Sequence, residues 1–354
     1  MQQDQPHQPS RRDVDVVKQP SWLTDLLDIP SLPCEGEVVV IRGIEMMMIH
    51  GILRSKSIMS ESQEQTKKTF GFKWHQRNSF EGNVVLANMR AWLIERYGNV
   101  AHADWLREYG ESPLILDAGC GAAMSALELF NEVLGSARYL GVDISTAVDV
   151  ASVRFAERGL SAGFVQSDLT QLPFAPCSFD IIFSEGVLHH TDSTEHAFFS
   201  LANLLKPGGR FLFYVYQKKG PVREFTDDHI RAQLQGMTSE QAWEAMVPLT
   251  KLGQLLGELN IEIDVPEPID LLNIPAGKID LQRFFYWHVC KAYYRPDMML
   301  DEMNHINFDW YAPRNAHRHT IDEVRTWCAR AGFTIEREQV QEAGITIIGK
   351  KDRV

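Results

Sequence analysis

The residues with chemistry to offer are spaced along one stretch of the chain. LILDAGCGAAMS, residues 114–125, opens on Leu114, Ile115 and Leu116 and then breaks into small residues around Asp117, Gly119 and Gly121. Glycines at that break permit a tight turn that side chains would obstruct, and a helix starting after them directs free backbone N–H groups at whatever lies over the turn. This suits a nucleotide-like ligand. Asp143 ends the run LGVDIS, where a carboxylate can accept both hydroxyls of a ribose, a task shared by NAD and other adenosine cofactors. Asp168 ends the next run in VQSDLTQLPF, placed to accept from an adenine amino group, and FDIIFSEGVLHH brings Ser184, Glu185 and two histidines to the end of a further one.

These residues need a scaffold that puts them at one edge. From Pro113 onward, strand-like runs (LILDAG, YLGVDIS, GFVQSD, FDIIFSEG, RFLFYVY) alternate with helical ones (near AAMSALELFNEVL, then AVDVASVRFAERG and TEHAFFSLANLLK), with KPGG as a turn before RFLFYVY. Such alternation means a parallel sheet with helices on both faces, and ligands of such sheets sit at the carboxyl ends of the strands. The alternation stops at Tyr216 and resumes at HTIDEVRTWCARAGFTIEREQV, a capped helix and a strand, before a last strand GITIIGK. The segment between, about a hundred residues, is too long for a structureless loop, and stretches such as SEQAWEAMVPLTKLGQLLGEL predict an inserted helical cap.

Upstream, residues 1–20 read as a disordered lead without the apolar core of a signal peptide. Residues 21–112 read as an extension. It holds a short amphipathic helix, Trp22 to Leu27, strand-like material in EVVVIRGIEMMMIHGI, and the aromatic, basic segment TFGFKWHQRNSF ahead of the helical run VVLANMRAWLIERYG.

Taken together, the order of the motifs resembles the class I S-adenosylmethionine-dependent methyltransferases, over residues 113–217 and 320–354. The resemblance implies a Rossmann-like α/β fold, a seven-stranded, mostly parallel sheet with helices on both faces, here with the N-terminal extension and a cap at 218–319. It implies S-adenosylmethionine as cofactor and S-adenosylhomocysteine as product. Asp117, Gly119, Cys120 and Gly121 would face the methionine part, Asp143 with Ile144 the ribose, Asp168 with Leu169 the adenine, and Ser184 and Glu185 would flank the point where the methyl leaves. GITIIGK would be the antiparallel strand of the fold. Ala123 stands where the family often has a third glycine, and it is small enough for the same close packing. IRGIEMMM before FGFKW also resembles methyltransferases with an upstream zinc-ribbon-like unit, but only Cys34 remains of four ligands, so no metal is expected.

Transfer to a hydroxyl or amine needs alignment, a dry pocket and a base. His189 is the first candidate base, since a histidine past the fourth strand lies beside the expected methyl position and titrates near neutrality; the other reading has His189 and His190 only capping the next helix. Asp309 and Tyr311 are second candidates, with His319 beside them. Arg223 and Arg283, like Arg231 and Arg314, suit a carboxylate or phosphate, or pair with Glu224, Asp227 and Asp228 on the surface. Trp287, in the consecutive aromatics from Phe284, is a candidate acceptor wall. Phe72 and Trp74 could close over the sulfonium with their ring faces, or staple the helix that follows.

The bulk numbers restrict the acceptor. A formal charge of −12, from 35 Lys and Arg against 47 Asp and Glu, argues against a nucleic-acid partner. Five cysteines without any C-x-x-C pair read as reduced thiols, and no run is long and apolar enough to span a membrane, so a cytoplasmic protein is expected. The reading is a methyltransferase of a small molecule, with an anionic group as one option and the oligomeric state left open. Its rivals are a methyltransferase of protein or tRNA, an NAD-linked oxidoreductase, and a binding protein that holds the cofactor without catalysis.

Overall fold

Buried apolar runs build the sheet. The computed structural model describes residues 18–56, 59–75 and 83–353. Nearly all of the 1–20 lead, and the end of TFGFKWHQRNSF, lie outside these described residues.

A helix α1 (Trp22–Leu27) precedes an antiparallel meander of β1 (Val38–Ile41), β2 (Ile44–Ile49) and β3 (Ile52–Ser55), followed by helices α2 (Glu61–His75) and α3 (Asn83–Tyr97). The α/β alternation runs β4 (Leu114–Ala118), α4 (Met124–Leu129), β5 (Arg138–Asp143), α5 (Ala147–Glu157), β6 (Ala162–Gln166), β7 (Phe179–Glu185), α6 (Thr194–Leu204) and β8 (Leu205–Tyr216). Then come α7 (Pro221–Leu234), α8 (Ser239–Glu258), a small hairpin of β9 (Glu262–Val265) and β10 (Gly277–Asp280), α9 (Leu281–His288) and α10 (Leu300–Tyr311). The chain returns to the sheet through α11 (Ile321–Arg330), β11 (Phe333–Val340) and β12 (Gly344–Lys351).

The main sheet has the order β1-β2-β3-β6-β5-β4-β7-β8-β12-β11. Strands β6, β5, β4, β7 and β8 are parallel, and β4 and β6 are buried along their whole length and β5 at all but Arg138, which explains their largely apolar character. β12 inserts antiparallel between β8 and β11. An NAD-type sheet would have continued parallel past β8.

Three expectations change. The sheet has ten strands rather than seven, because β3 pairs in parallel with β6 and carries the meander with it. Arg54 of β3 fastens that edge, donating to Asp149 (2.5 Å) and Gln166 (2.6 Å). The helix after the glycine turn is only six residues long. KPGG is a bulge inside β8 rather than a turn before it: the register jumps from Phe179 opposite Leu205 to Ile181 opposite Arg210, with Gly208 at φ +81°.

Each face of the sheet has its own core, one around Leu116, Phe198, Phe211 and Trp327, the other around Ile115, Tyr139, Phe155 and Phe183. A third cluster matters more for function. It joins Tyr214 and Tyr216 at the end of β8 to Phe308, Trp310 and Tyr311 of α10, with Phe72 of α2 packed against it. The segment after β8 and helix α2, between β3 and β4, therefore share one hydrophobic core over the strand ends.

Candidate active site

At the end of β4 the chain turns through Gly119 (φ +84°), Gly121 (φ +52°) and Ala123 (φ +60°) into α4. The Gly119 and Cys120 N–H groups both donate to Val142 O, at 2.8 and 2.9 Å, so the turn is tied to the neighbouring strand. A Cβ at position 119 would lie 2.2 Å from Val187, and one at position 121 would lie 2.7 Å from the Trp74 indole nitrogen. Glycine is thus required here by close approach as well as by backbone angle. Trp74 of α2 lies directly on the glycine turn.

Asp143 ends β5 with its carboxylate accepting from Gly121 N (2.8 Å), Ser145 N (2.8 Å) and Ser145 Oγ (2.6 Å). Burial pushes its carboxyl up, against these donors. Asp168, past β6, accepts from Thr170 N (2.7 Å) and Thr170 Oγ1 (2.6 Å). Gly119, Asp143, Ile144, Asp168, Leu169 and Glu185 all line one cavity of about 450 Å³. Four of the sequence candidates sit behind that wall instead, Gly121 among them beneath the Trp74 indole. Asp117 accepts from Tyr139 (2.6 Å) and is raised to about 7 by burial, Ser184 donates to Ala118 O (2.8 Å), and the buried Cys120 thiol is pushed far up.

Glu185, at the end of β7, accepts from Arg96 (2.9 Å) and from the Tyr97 hydroxyl, both on α3. One Arg96 nitrogen is buried without a hydrogen-bond partner, and the guanidinium lies between the rings of Trp92 (3.4 Å) and Tyr214 (3.6 Å). Nothing in the local sequence of α3 signals this, since Arg96 and Glu185 meet only through the fold.

The two histidines separate. His189 is fully buried, stacked on Tyr216 at 3.6 Å with neither ring nitrogen hydrogen-bonded, and does not reach the cavity. His190 does. Its Nδ1 lies 2.6 Å from Asn315 O, an acceptor only, so Nδ1 carries the proton and Nε2 is left as a buried lone pair without a partner. Burial lowers its pKa to about 4, so the ring is neutral at ordinary pH. The correction is one residue along a tight turn whose facing the sequence does not specify.

The segment after β8 supplies the opposite wall. Asp309 lines the cavity and is paired with Lys73 of α2 at 2.5 Å; burial works against its charge, but Lys73 and His190 hold its pKa down to about 2. It is therefore a fixed anion rather than a base. Trp287 also lines the cavity. Tyr311 is buried outside it, donating to Asp227 (2.8 Å), and His319 packs on Trp327 at 4.8 Å. Of the arginines, Arg223 reaches the cavity but is bound to Asp227 (2.8 Å), while Arg283 donates to Tyr294 O (2.9 Å) and does not line it. Phe72 packs into the third core against Phe308 at 5.7 Å, so of the two lid candidates only Trp74 lines the cavity. Sequence reasoning missed Lys73, Lys219 and Lys291, all cavity-lining. QKKGP and VCKAYY look like ordinary solvated positions.

Residues 116–213 match the methyltransferase domain family. The chain is 30% identical to the uncharacterized methyltransferase YcgJ of Bacillus subtilis (strain 168), over 46% of this chain and 67% of that one. It is 29% identical to the sterol 24-C-methyltransferase of Pneumocystis carinii (strain B80), over 34% and 32% of the two chains. It is also 30% identical, over 34% and 25%, to a Bos taurus protein named for tRNA methylation. Among other curated relatives it spans 47% of one and 26% of another, about half of their length or less. With the strand order and the glycine turn, these matches identify the chain as a member of the class I S-adenosylmethionine-dependent methyltransferases. The residues present fit that cofactor: Gly119 without a side chain on the cavity wall, a buried carboxylate at Asp143 facing the cavity, and Ile144 and Leu169 as apolar walls beside Asp168.

Proposed function

We propose that this protein transfers the methyl of S-adenosylmethionine to a small molecule held between the strand ends and the 218–319 segment. The observation that carries the reading is the single cavity into which cofactor-cradle residues, α2 and that segment all project. That cavity of about 450 Å³ must hold the cofactor as well, which leaves room only for a small acceptor beside it. A protein or tRNA acceptor calls for an open groove, and for tRNA a basic one. The sterol methyltransferase relative is likewise named for a small-molecule acceptor.

In this reading Gly119, Gly121, Asp143 and Asp168 hold the cofactor, which when bound supplies an electrophilic methyl carbon on a sulfonium. Trp74 covers the turn, and with Trp287 and Tyr286 it keeps water from the cavity. Exclusion of water favours a reaction in which positive charge is lost. His190 serves as base for a hydroxyl or amine acceptor: the Asn315 carbonyl fixes the tautomer, Nε2, itself buried, takes the proton once the entering acceptor has opened a path to it, and the Asp309 carboxylate stabilises the resulting imidazolium. The Arg96–Glu185 pair stiffens the end of β7 beside it.

The test is calorimetric titration with S-adenosylmethionine, S-adenosylhomocysteine and NAD, followed by mass detection of methylated products from a small-molecule library. His190→Gln is expected to lower kcat by about 10²–10⁴ while leaving S-adenosylhomocysteine affinity unchanged. Label appearing in protein or tRNA rather than in small molecules would overturn the acceptor class, and failure of both sulfur ligands to bind the folded protein would overturn the reading as a whole.

A further inference from the structure

Charge around Trp310 does not balance. Four cations approach its indole ring: Lys291 Nζ at 4.6 Å from the ring centre, Lys219 Nζ at 5.4 Å, Arg223 Cζ at 5.4 Å and Arg231 Cζ at 5.7 Å. The arginines are matched. Arg223 is bound to Asp227 (2.8 Å), and Arg231 to Asp228 (3.1 Å), which Arg318 also holds. Asp227 is fully engaged, since Trp310 Nε1 and the Tyr311 hydroxyl donate to it as well, each at 2.8 Å. The cavity's Asp309 is taken by Lys73.

The two lysines have no such partner. Lys219 Nζ donates to Gln217 O (2.6 Å) and Ala343 O (3.0 Å), two neutral carbonyls, which leaves one of its three donors unspent. Lys291 is 7% exposed, and among the described residues its ammonium has no hydrogen-bond acceptor and no carboxylate within ion-pair distance. Both lysines line the cavity. Lys291 is buried and Lys219 half-buried, and a buried ammonium without a counter-charge is costly to keep unless something else supplies the charge.

We propose that Lys219 and Lys291 form an oxyanion subsite in which their ammonium groups, seated on Trp310, hold a carboxylate or phosphate of the methyl acceptor. This rests on the small-acceptor reading above and narrows it to anionic molecules. The subsite lies where Arg223 and Arg283 were expected from sequence to serve, but Arg223 is neutralised by Asp227 and Arg283 is outside the cavity. Burial lowers both lysines to about 7, Lys219 with Arg223 adding and Asp227 and Glu224 opposing, Lys291 with Arg223 and Lys73 adding and Asp309 and Asp227 opposing. An incoming anion therefore finds ammonium groups whose charge it restores. Trp287 and Tyr293 provide flat apolar walls for the body that carries it.

The probes are benzoate, phenyl phosphate and neutral benzamide, titrated into protein saturated with S-adenosylhomocysteine. The two anions are expected to bind at least about tenfold more tightly than benzamide, with benzoate and phenyl phosphate separating the two oxyanions. In Lys219→Met/Lys291→Met that preference disappears while S-adenosylhomocysteine still binds. Without any anion, single Lys291→Met melts at a higher temperature than the wild type, because a buried charge without a carboxylate partner is gone, whereas Lys219→Met gives up two hydrogen bonds to carbonyls and carries no such expectation. Equal binding of the three probes, absence of binding by all of them, survival of the preference in the double variant, or lower melting of Lys291→Met would each overturn the subsite. Failure of S-adenosylhomocysteine to bind would instead strike the methyltransferase reading, so the two failures are told apart.

Discussion

The two halves of the cavity are made in different ways. On the strand side, each group lies within a few residues of a strand end, and the turn itself does much of the holding: Gly119 and Cys120 N–H on Val142 O, Gly121 N–H on Asp143. On the far side, groups meet across the chain, as Lys73 with Asp309 at a separation of 236 residues, and Trp310 with Asp227 at 83. The first half is a property of local backbone repeated at successive parallel strands. The second is a property of tertiary packing, in which side chains from α2, α7 and α10 converge on one core. A cofactor shared by a whole family can be held by the first kind, whereas a particular acceptor needs the second.

The sharpest way to break this comparison is Asp143→Ala. The substitution removes a buried carboxylate that orders Gly121 and Ser145, and charge-assisted hydrogen bonds are worth about 1.5–3 kcal/mol each. Loss of the two expected to a ribose corresponds to about 10²–10⁴ in S-adenosylhomocysteine affinity. Calorimetry decides it, and wild-type affinity in the variant would mean that the strand side is not the cofactor half.

Asp227→Ala addresses the other half. Asp227 is 1% exposed and accepts from Arg223, Trp310 and Tyr311, so its loss strands a buried guanidinium. The expected destabilisation is about 3–5 kcal/mol in urea unfolding. Adding Arg223→Met is expected to recover part of it, since an unpaired buried charge costs more than an absent pair. No recovery would show that Asp227 acts through the Trp310 and Tyr311 hydrogen bonds rather than through charge.

The contrast also accounts for what could be read from the sequence. Buried strands announce themselves as LILDA or RYLGVD because both faces are covered, and turn residues sit at fixed offsets from them. The parallel sheet and the strand-end positions of Asp143, Asp168 and Glu185 followed from that, whereas the antiparallel β12 was implied only by the resemblance to the methyltransferases. The meander β1–β3 was legible as strands, but its parallel pairing to β6 depends on Arg54 meeting Asp149 and Gln166, contacts separated by 95 and 112 residues. Lys291 carries no signal, because a buried lysine and a solvated one look alike in a sequence. His189 and His190 differ only by which way a one-turn 3-10 segment faces.

His190 stands at the seam, on a turn from the strand side but fixed by Asn315 from the far side, and it gives the smallest effect. Burial is the main cause of its lowered pKa, with Lys73 and Arg231 adding to it and Asp309 and the Asn315 carbonyl opposing. The folded value of about 4 lies below the ordinary 6.5, so between those pH values the unfolded chain binds a proton that the native state does not. Stability from this group is thus complete above pH 6.5 and is lost as pH falls toward 4, by at most about 1.4 kcal/mol per pH unit. Urea unfolding of wild type and His190→Gln at pH 6 and pH 5 isolates the term as the difference of their slopes. A wild-type slope no steeper than the variant's would mean that the histidine is solvated in the folded protein. The acid limb of kcat would then fall near 6.5 instead of well below it, and the far side would not be closing over the ring.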